Sequence, residues 1–267
     1  MKTYLSVFRI RFIATLQYRF ATLAGLVTQF VWGFMEILVY AAFYKVNAAA
    51  FPMEFSQIVS YIWMQQAFLP LFSLSFWDWE FSDAIESGSI SYELVRPVDL
   101  YGRWFFQAAA KRLARVMLRC IPAFLVAFFL PEPYRMVLPP DFVQLLLFFM
   151  SVLLALCVVV AFSMLMYISV FYTLSSRGTK LVVGLIADFF AGMVIPLPFF
   201  PEALQNVIRF LPFAAMQNMP LRIYSGNIAD MEAVIGITLQ VLWIVILLMI
   251  GKFTIRRALS KVVVQGG

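Results

Sequence analysis

The sequence predicts an all-α integral membrane protein that crosses the bilayer six times. Of its 267 residues, 63% are hydrophobic and only 13% are charged, whereas a soluble domain carries about 25% charged residues. The apolar runs are continuous rather than alternating, which argues against a transmembrane β-barrel. Each spanning helix needs about 20 predominantly apolar residues, so six spans fit within this length and leave room for loops.

Six apolar segments are the predicted spans, and they lie at residues 21–44, 56–78, 113–131, 142–172, 181–196 and 231–251. With both termini in the cytoplasm, 16 of the 20 Lys and Arg residues fall on the inner side, as the positive-inside rule requires. The four on the outer side are Lys45, Arg135, Arg209 and Arg222. Residues 1–20 mix apolar and basic side chains, which predicts an amphipathic helix on the membrane surface. We therefore expect a single membrane domain over residues 1–267.

The composition also excludes several classes of function. The chain contains no His, which excludes Ser-His triads and His-based metal sites. Cys120 and Cys157 lie in apolar stretches and form no CxxC motif, so we expect buried side chains and no metal centre. The net charge of +6 is assigned to membrane topology and anionic lipid rather than to nucleic acid. No GxxxxGK[ST] phosphate loop occurs, so we expect this chain to bind no cofactor and any ATP to be hydrolysed by a separate chain.

The inner segment 79–112 carries a compact acidic motif. Asp83 can cap a short helix, and Glu86, three residues later, can close a capping box. Gly88 is suited to end that helix. Ile90 and Leu94 then share an apolar face one helical turn apart, and Pro97 ends this second element. The positions of this motif are Asp83, Glu86, Gly88, Ile90, Leu94 and Pro97.

The outer segment 197–230, with the residue before it, is rich in proline yet still apolar. Its prolines forbid one continuous helix, and they include Pro196, Pro198, Pro201 and Pro212. Irregular backbone lies at membrane depth only where protein buries it or where it lines a cavity. A re-entrant segment fits this pattern, and an interfacial loop anchored by Phe side chains fits it equally well.

Two acidic residues, Glu36 and Asp188, lie well inside predicted spans, away from the span ends. A charge at the bilayer centre costs about 2.5–3.5 kcal/mol on insertion scales, so such residues usually face the interior of a helix bundle. Together with Gln29, Tyr40 and Gln65 they are candidates for lining the pathway of a cationic or amphipathic substrate. Each carboxyl could instead form a structural hydrogen bond or be protonated.

The order of these motifs resembles that of the type-2 ATP-binding-cassette (ABC) permeases, and most closely the bacterial exporters of drugs, antibiotic peptides and viologens. The resemblance rests on the spacing Glu86-x-Gly88-x-Ile90-x-x-x-Leu94-x-x-Pro97 after the second span, and on Phe200-Pro201, Leu211-Pro212 and Pro220 after the fifth. It implies that the 79–112 segment holds a coupling helix, that residues 1–20 form a connecting helix, and that residues 197–230 cover the pathway.

The resemblance further implies a permease subunit without enzymatic activity, in the bacterial cytoplasmic membrane. A dimeric ABC ATPase subunit would bind ATP and Mg²⁺, and a second permease, identical or a sister chain, would complete the pathway for an amphipathic drug, peptide or lipid. Two alternatives remain open. An ion-coupled secondary transporter would show inverted repeats and broken helices. A lipid-modifying enzyme would need clustered polar residues at one membrane face, and Asp78, Glu80 and Asp83 form such a cluster.

Overall fold

The computed structural model describes residues 1–17, 19–173 and 175–260. For residues 19–24 it describes the backbone but not the side chains. Arg19 and Lys261, two of the basic residues counted on the inner side, therefore lie outside the described side chains. Every regular element among the described residues is helical. The helices are α1 (Lys2–Gln17), α2 (Arg19–Asn47), α3 (Phe55–Phe72), α4 (Trp79–Glu86), α5 (Ile90–Leu94), α6 (Leu100–Phe129), α7 (Phe142–Thr173), α8 (Ser176–Phe190), α9 (Glu202–Ile208), α10 (Met219–Tyr224) and α11 (Asp230–Leu259).

Three helical segments of the described chain are long and apolar enough to cross a membrane by themselves. They are Gly25–Ala50, Phe142–Thr173 and Asp230–Leu259. The first and third expose most of their apolar side chains, whereas half of the second is buried. Large apolar surfaces of this kind are stable only against lipid or another subunit.

Helix α3 forms the centre of the molecule. Nearly all of its side chains are buried, among them Tyr61, Trp63 and Met64, and it packs against α2, α6, α7 and α10. A helix that is apolar around its whole circumference is stable only in such a position. At its start, the backbone N–H of Glu54 donates to Oε1 of Gln57 at 3.1 Å, which satisfies one of the free donors of the first turn.

The predicted spans at 142–172 and 231–251 agree closely with α7 and α11. The span predicted at 56–78 is wrong at its end, because α3 stops at Phe72 and an irregular loop follows. The span predicted at 181–196 also stops early, because α8 ends at Phe190. Gly192 follows with a φ of +88°, a conformation that turns the chain away from the helix axis and favours glycine.

The predicted inner segment 79–112 is not a loop throughout. Its last third belongs to α6, which begins at Leu100, where the carboxylate of Asp99 accepts the backbone N–H of Gly102 at 2.7 Å. Helix α6 is therefore 30 residues long, about 45 Å. Helix α1 packs along this first part of α6, and the rings of Tyr4 and Phe106 stack with centroids 5.5 Å apart. The predicted N-terminal helix thus has a protein partner on one side.

Candidate coupling region and membrane cavities

The acidic motif lies on and around the short helices α4 and α5. Four of its six residues are within these helices, Gly88 lies between them, and Pro97 follows α5. Helix α4 begins five residues earlier than a cap at Asp83 requires, because Asp78 is the N-cap and its carboxylate accepts the N–H of Glu80 at 3.3 Å. The predicted capping box of Asp83 and Glu86 is therefore wrong. Asp83 lies inside α4 with its side chain exposed, and its carboxylate has no ion-pair partner among the described residues.

Gly88 ends α4 as predicted, with a φ of +73° just after the C-cap residue Ser87. Helix α5 follows at once, and its Ile90 is only 2% exposed within the apolar core. Leu94, predicted to share a face with Ile90, is 39% exposed, and Pro97 lies in the turn after the helix. Tyr92 and Val95 are 77% and 81% exposed, so the tip of α5 presents an apolar surface.

Glu86 joins α4 to α8. Its Oε1 accepts the backbone N–H of Ser176 at 2.7 Å, at the start of α8. The N-cap residue of α8, Ser175, makes no side-chain capping bond, so Glu86 supplies from a distance the acceptor that a cap normally provides. A second link lies nearby, where Nζ of Lys180 stands 4.8 Å from the centroid of the Trp79 ring.

We expect Glu86→Ala to lower the free energy of unfolding by about 0.5–2 kcal/mol, the usual effect of losing an N-cap. Glu86→Gln keeps an acceptor oxygen and should lose less. Thermal unfolding of the purified protein in detergent measures both changes. Asp83→Ala, on the same helix but with no side-chain partner among the described residues, serves as the control. An equal loss for Asp83→Ala would contradict the capping role.

A network of opposite charges joins α1, α4 and α6. Nζ of Lys111 lies 2.6 Å from Oδ2 of Asp78 and 2.7 Å from Oε2 of Glu80. On its other oxygen, Glu80 pairs with Nη2 of Arg11 at 2.5 Å. Burial raises the pKa of the Glu80 carboxyl, but the hydrogen bond and charge of Lys111 and the charge of Arg11 outweigh it and lower that pKa below its ordinary value.

The lowered pKa of Glu80 gives a pH dependence of defined sign. The ionised carboxylate binds its partners in the folded state, so its stabilising contribution is full above the pKa of an unfolded Glu, about 4.3, and is lost as the pH falls through the lower folded pKa. We expect the difference in unfolding free energy between wild type and Glu80→Gln to be constant from pH 6 to 8 and to shrink below about pH 4. Glu202→Gln, at an exposed acid of α9 without an ion pair in the described chain, should show no such change.

The loop after α3 is held from two sides by buried charges. On α6, Nη1 of Arg112 donates to the carbonyl oxygens of Pro70, Leu71 and Ser73 at 2.8–3.2 Å, and Nη2 donates to Oγ of Ser163. These carbonyls belong to the last turn of α3 and the residue after it, where helices leave acceptors without a partner. A cation at a helix C-terminus also opposes the negative end of the helix dipole.

Asp188 holds the same loop from α8. Its Oδ2 accepts the hydroxyls of Ser73 and Ser75 at 2.9 and 2.7 Å, and its Oδ1 accepts the N–H of Leu74 at 2.8 Å. The side chain lines neither of the cavities described next. All of these bonds tie α8 to the α3–α4 connection, which is the structural role that the sequence left open as an alternative for this carboxyl.

Two adjoining cavities lie along α2. The first, which we call the polar cavity, has a volume of about 450 Å³ and is lined by Gly25, Thr28, Gln29, Trp32, Glu36, Gln65, Gln66, Leu69, Arg119 and Met193. The second, the aromatic cavity, has a volume of about 740 Å³ and is lined by Trp32, Met35, Glu36, Val39, Tyr40, Phe43, Phe51, Met193, Val194, Ile195 and Phe199. Trp32, Glu36 and Met193 belong to both. Four of the five predicted pathway residues, all except Asp188, thus line these cavities.

The chain beyond α8 is irregular, and glutamine amides bind its carbonyl groups. Nε2 of Gln65 donates to the carbonyl oxygen of Met193 at 3.0 Å and to Oε2 of Glu36 at 3.3 Å. Nε2 of Gln217 donates to Oε1 of Gln65 and to the carbonyl oxygen of Gly192, both at 3.1 Å. Gln217 is fully buried in a π-helical turn, Ala214–Asn218. The broken backbone is thereby satisfied inside protein, as an apolar environment requires.

The predicted prolines divide this outer segment into short pieces. Pro196 precedes a 3₁₀ turn that contains Pro198, Pro201 is the N-cap of α9, and Pro212 lies between α9 and the π-helical turn. Pro198 is buried, whereas Pro201 is exposed. The segment is therefore folded against the helices at its start and open to the surroundings at α9.

Comparison with known proteins decides the family. A family model described as ABC-2 family transporter protein matches residues 30–266 of the chain. The chain belongs to the ABC-2 transporter family. It is therefore a membrane permease component of an ABC transporter, a transport subunit that works with an ABC ATPase. A search of the curated proteins finds no match.

Three residues of this ABC-2 permease, Arg112, Arg119 and Gln217, have structural positions that its sequence does not predict. In the sequence Arg112 and Arg119 are simply inner-side charges, and nothing in the pattern indicates that Arg112 binds the end of α3 or that Arg119 lines a cavity. Gln217 lies in an apolar outer stretch, which gives no sign of its bonds to Gln65 and Gly192. An amide or guanidinium side chain indicates a structural role only when the position of its hydrogen-bond partner is known.

Proposed function

We propose that this permease is the membrane subunit of an ATP-driven exporter of an amphipathic substrate. The observation that carries the proposal is the arrangement of α4 and α5. The end of α5 presents exposed apolar side chains, whereas hydrogen bonds and ion pairs join α4 to the surrounding helices. Tyr92, Leu94 and Val95 form that exposed tip. A surface of this kind suits docking to another protein, and the ABC ATPase is the partner that the family supplies.

The bonds between α4 and the surrounding helices would transmit a displacement of α4. Glu86 links α4 to α8, the Lys111 network links it to α1 and α6, and Asp188 and Arg112 hold its connection to α3. ATP and Mg²⁺ bound by the ATPase would drive its closure. Rigid-body movement of the helices attached to α4 would then switch the pathway between the two sides.

We further propose that α3, α6 and α8 cross the membrane beside the three strongly apolar helices. Helix α3 has 18 residues, about 27 Å, which approaches the thickness of the hydrocarbon core. The basic residues of α6 lie in its first two thirds, from Arg103 to Arg119, which favours a cytoplasmic start. Both termini then lie in the cytoplasm of a bacterial cell, and the segment after α8 covers the outer end of the pathway.

A second permease, identical or a sister chain, would face α2 and enclose the two cavities. Exposed apolar residues such as Val27, Val31 and Val39 run along that helix and need either lipid or protein beside them. The ion pairs of the carboxylates at the inner face favour a transport function over that of a lipid-modifying enzyme. Asp78 and Glu80 both bind Lys111 and so lack a free carboxylate pair for acid–base chemistry.

The proposal is tested by purifying the tagged full chain from its native membrane in mild detergent with a non-hydrolysable ATP analogue. Mass spectrometry should identify an ABC ATPase in stoichiometric amount with the wild type. We expect Tyr92→Arg and Val95→Arg each to reduce the retained ATPase at least tenfold, because a charge replaces an exposed apolar contact. Val207→Arg, at a similarly exposed residue of α9, should retain it. A wild type without any nucleotide-binding partner, or full retention by both tip variants, would overturn the proposal.

A further inference from the structure

The polar cavity carries an acidic side chain at one end and a basic side chain at the other. Glu36 lies at the end shared with the aromatic cavity, and Arg119 lies at the other end, against Gly25. Gly25 and Glu36 are eleven residues apart on α2, which places their backbones about 16 Å apart along the helix. The two side chains form no ion pair with each other, and neither has an ion-pair partner among the described residues.

Both ionisable side chains retain a buried atom without a hydrogen-bond partner in the described chain. Oε1 of Glu36 and Nε of Arg119 are buried and bind no described atom. A side-chain methyl group at position 25 would lie 2.7 Å from Nη2 of Arg119, so the glycine gives this guanidinium its room. Its guanidinium carbon also stands 5.7 Å from the centroid of the Phe76 ring. Buried polar atoms without a partner are costly unless a ligand or water satisfies them.

The amide of Gln66 also lines this cavity, and its Cγ lies beside Gly33, between Gly25 and Glu36 along α2. Gln66 is only 6% exposed, yet its side chain makes no hydrogen bond to any described residue. Its neighbour Gln65, by contrast, is fully engaged with Glu36, Met193 and Gln217. A primary amide both donates and accepts, so Gln66 suits a spacer with hydrogen-bonding groups of either kind.

We propose that this permease binds a zwitterionic amphiphile, with its ammonium group at Glu36 and its anionic group at Arg119. The spacer between them binds Gln66, and the apolar part occupies the adjoining aromatic cavity. Trp32, shared by the two cavities, stands where the cation and the apolar part meet. A dication is disfavoured by Arg119 and a simple anion by Glu36. The inference rests on the proposed function, since it names the substrate class of that exporter.

The test uses four forms of one probe peptide, Phe-Leu-Phe, with the full-length permease in nanodiscs of neutral lipid. The free peptide is zwitterionic, the C-terminal amide is cationic, the N-acetyl form is anionic, and the doubly blocked form is neutral. Binding is followed by tryptophan fluorescence, and Trp32→Phe identifies the signal from the cavity. We expect the free peptide to bind at least tenfold more tightly than any blocked form.

Two substitutions separate the two ends of the site. Glu36→Gln should abolish the preference for a free amine over an acetylated one and leave the preference for a free carboxylate. Arg119→Gln should do the reverse. Glu202→Gln and Arg209→Gln, both on exposed residues of the outer segment, should change neither preference.

Equal binding of the four peptides to the wild type would overturn the inference, and that measurement needs no variant to fold. Tightest binding of the cationic form, or an equal loss for all four peptides in Glu36→Gln, would also overturn it. No ATPase takes part in this experiment. Its failure is therefore distinguishable from the failure of the exporter proposal, which the ATPase purification tests.

Discussion

Arg112→Met is expected to lower the free energy of unfolding by about 3–5 kcal/mol, the largest effect of any single substitution proposed for this chain. Methionine keeps the apolar stem of the side chain but removes every donor. Three carbonyl oxygens at the end of α3 and the hydroxyl of Ser163 then lose a buried partner. Arg112→Lys should lose less, because its single ammonium group reaches only some of these acceptors.

The measurement is unfolding in mixed micelles, with helicity followed over a titration of denaturing detergent. Arg115→Met is the matched control. It removes a half-buried arginine less than one turn away that makes no hydrogen bond to a described residue. We expect it to cost under about 1 kcal/mol, as surface changes usually do. Equal losses for the two variants would show that the carbonyl contacts of Arg112 are unimportant.

Gln65→Leu is expected to have the second largest effect, about 2 kcal/mol, together with a looser segment after α8. The substitution removes the donor to Met193 and Glu36 and the acceptor of Gln217. Hydrogen bonds between membrane helices average about 0.6 kcal/mol each and reach about 1.7 kcal/mol. Three lost together, in a place where water cannot replace them, give the estimated total.

The adjacent residue offers a matched control. Gln66→Leu makes the same chemical change one position along α3, where the amide has no partner in the described chain. It should leave the stability unchanged. Modification of Val194→Cys, in a background without Cys120 and Cys157, measures the looseness of the segment after α8. We expect faster modification with Gln65→Leu and an unchanged rate with Gln66→Leu, and the reverse order would contradict the network.

The sequence predicted the helices whose limits depend on local composition. Helices α7 and α11 are uniformly apolar and long, so hydropathy alone located them. The end of α3 was missed because Arg112, some forty residues away, binds its last carbonyls. The start of α6 was missed because hydropathy cannot distinguish a charged extension of a spanning helix from a loop. Such limits are set by tertiary contacts, which a single sequence does not display.

The roles of the candidate site residues likewise depend on tertiary contacts. Glu36 and Gln65, which intramembrane polarity predicts as pathway candidates, line the same cavity and form a hydrogen bond with each other. The same reasoning gave Asp188 a similar role, yet its carboxylate is fully used by the loop after α3. A carboxylate in a span marks an important position, but only its partners decide whether it binds the protein or a ligand.

Helix α8 carries a restriction on its length that its amino-acid composition does not reveal. Its first residue, Ser176, is bound by Glu86, and Asp188, twelve residues later, is bound by the loop after α3. Those two bonds are separated by about 18 Å along the helix axis. One inserted residue between them would rotate Asp188 by about 100° away from its serine partners. We therefore expect single insertions or deletions within α8 to be far more damaging than apolar substitutions on its exposed face. We thus expect related sequences to keep the number of residues between Ser176 and Asp188 while the exposed apolar side chains of α8 vary.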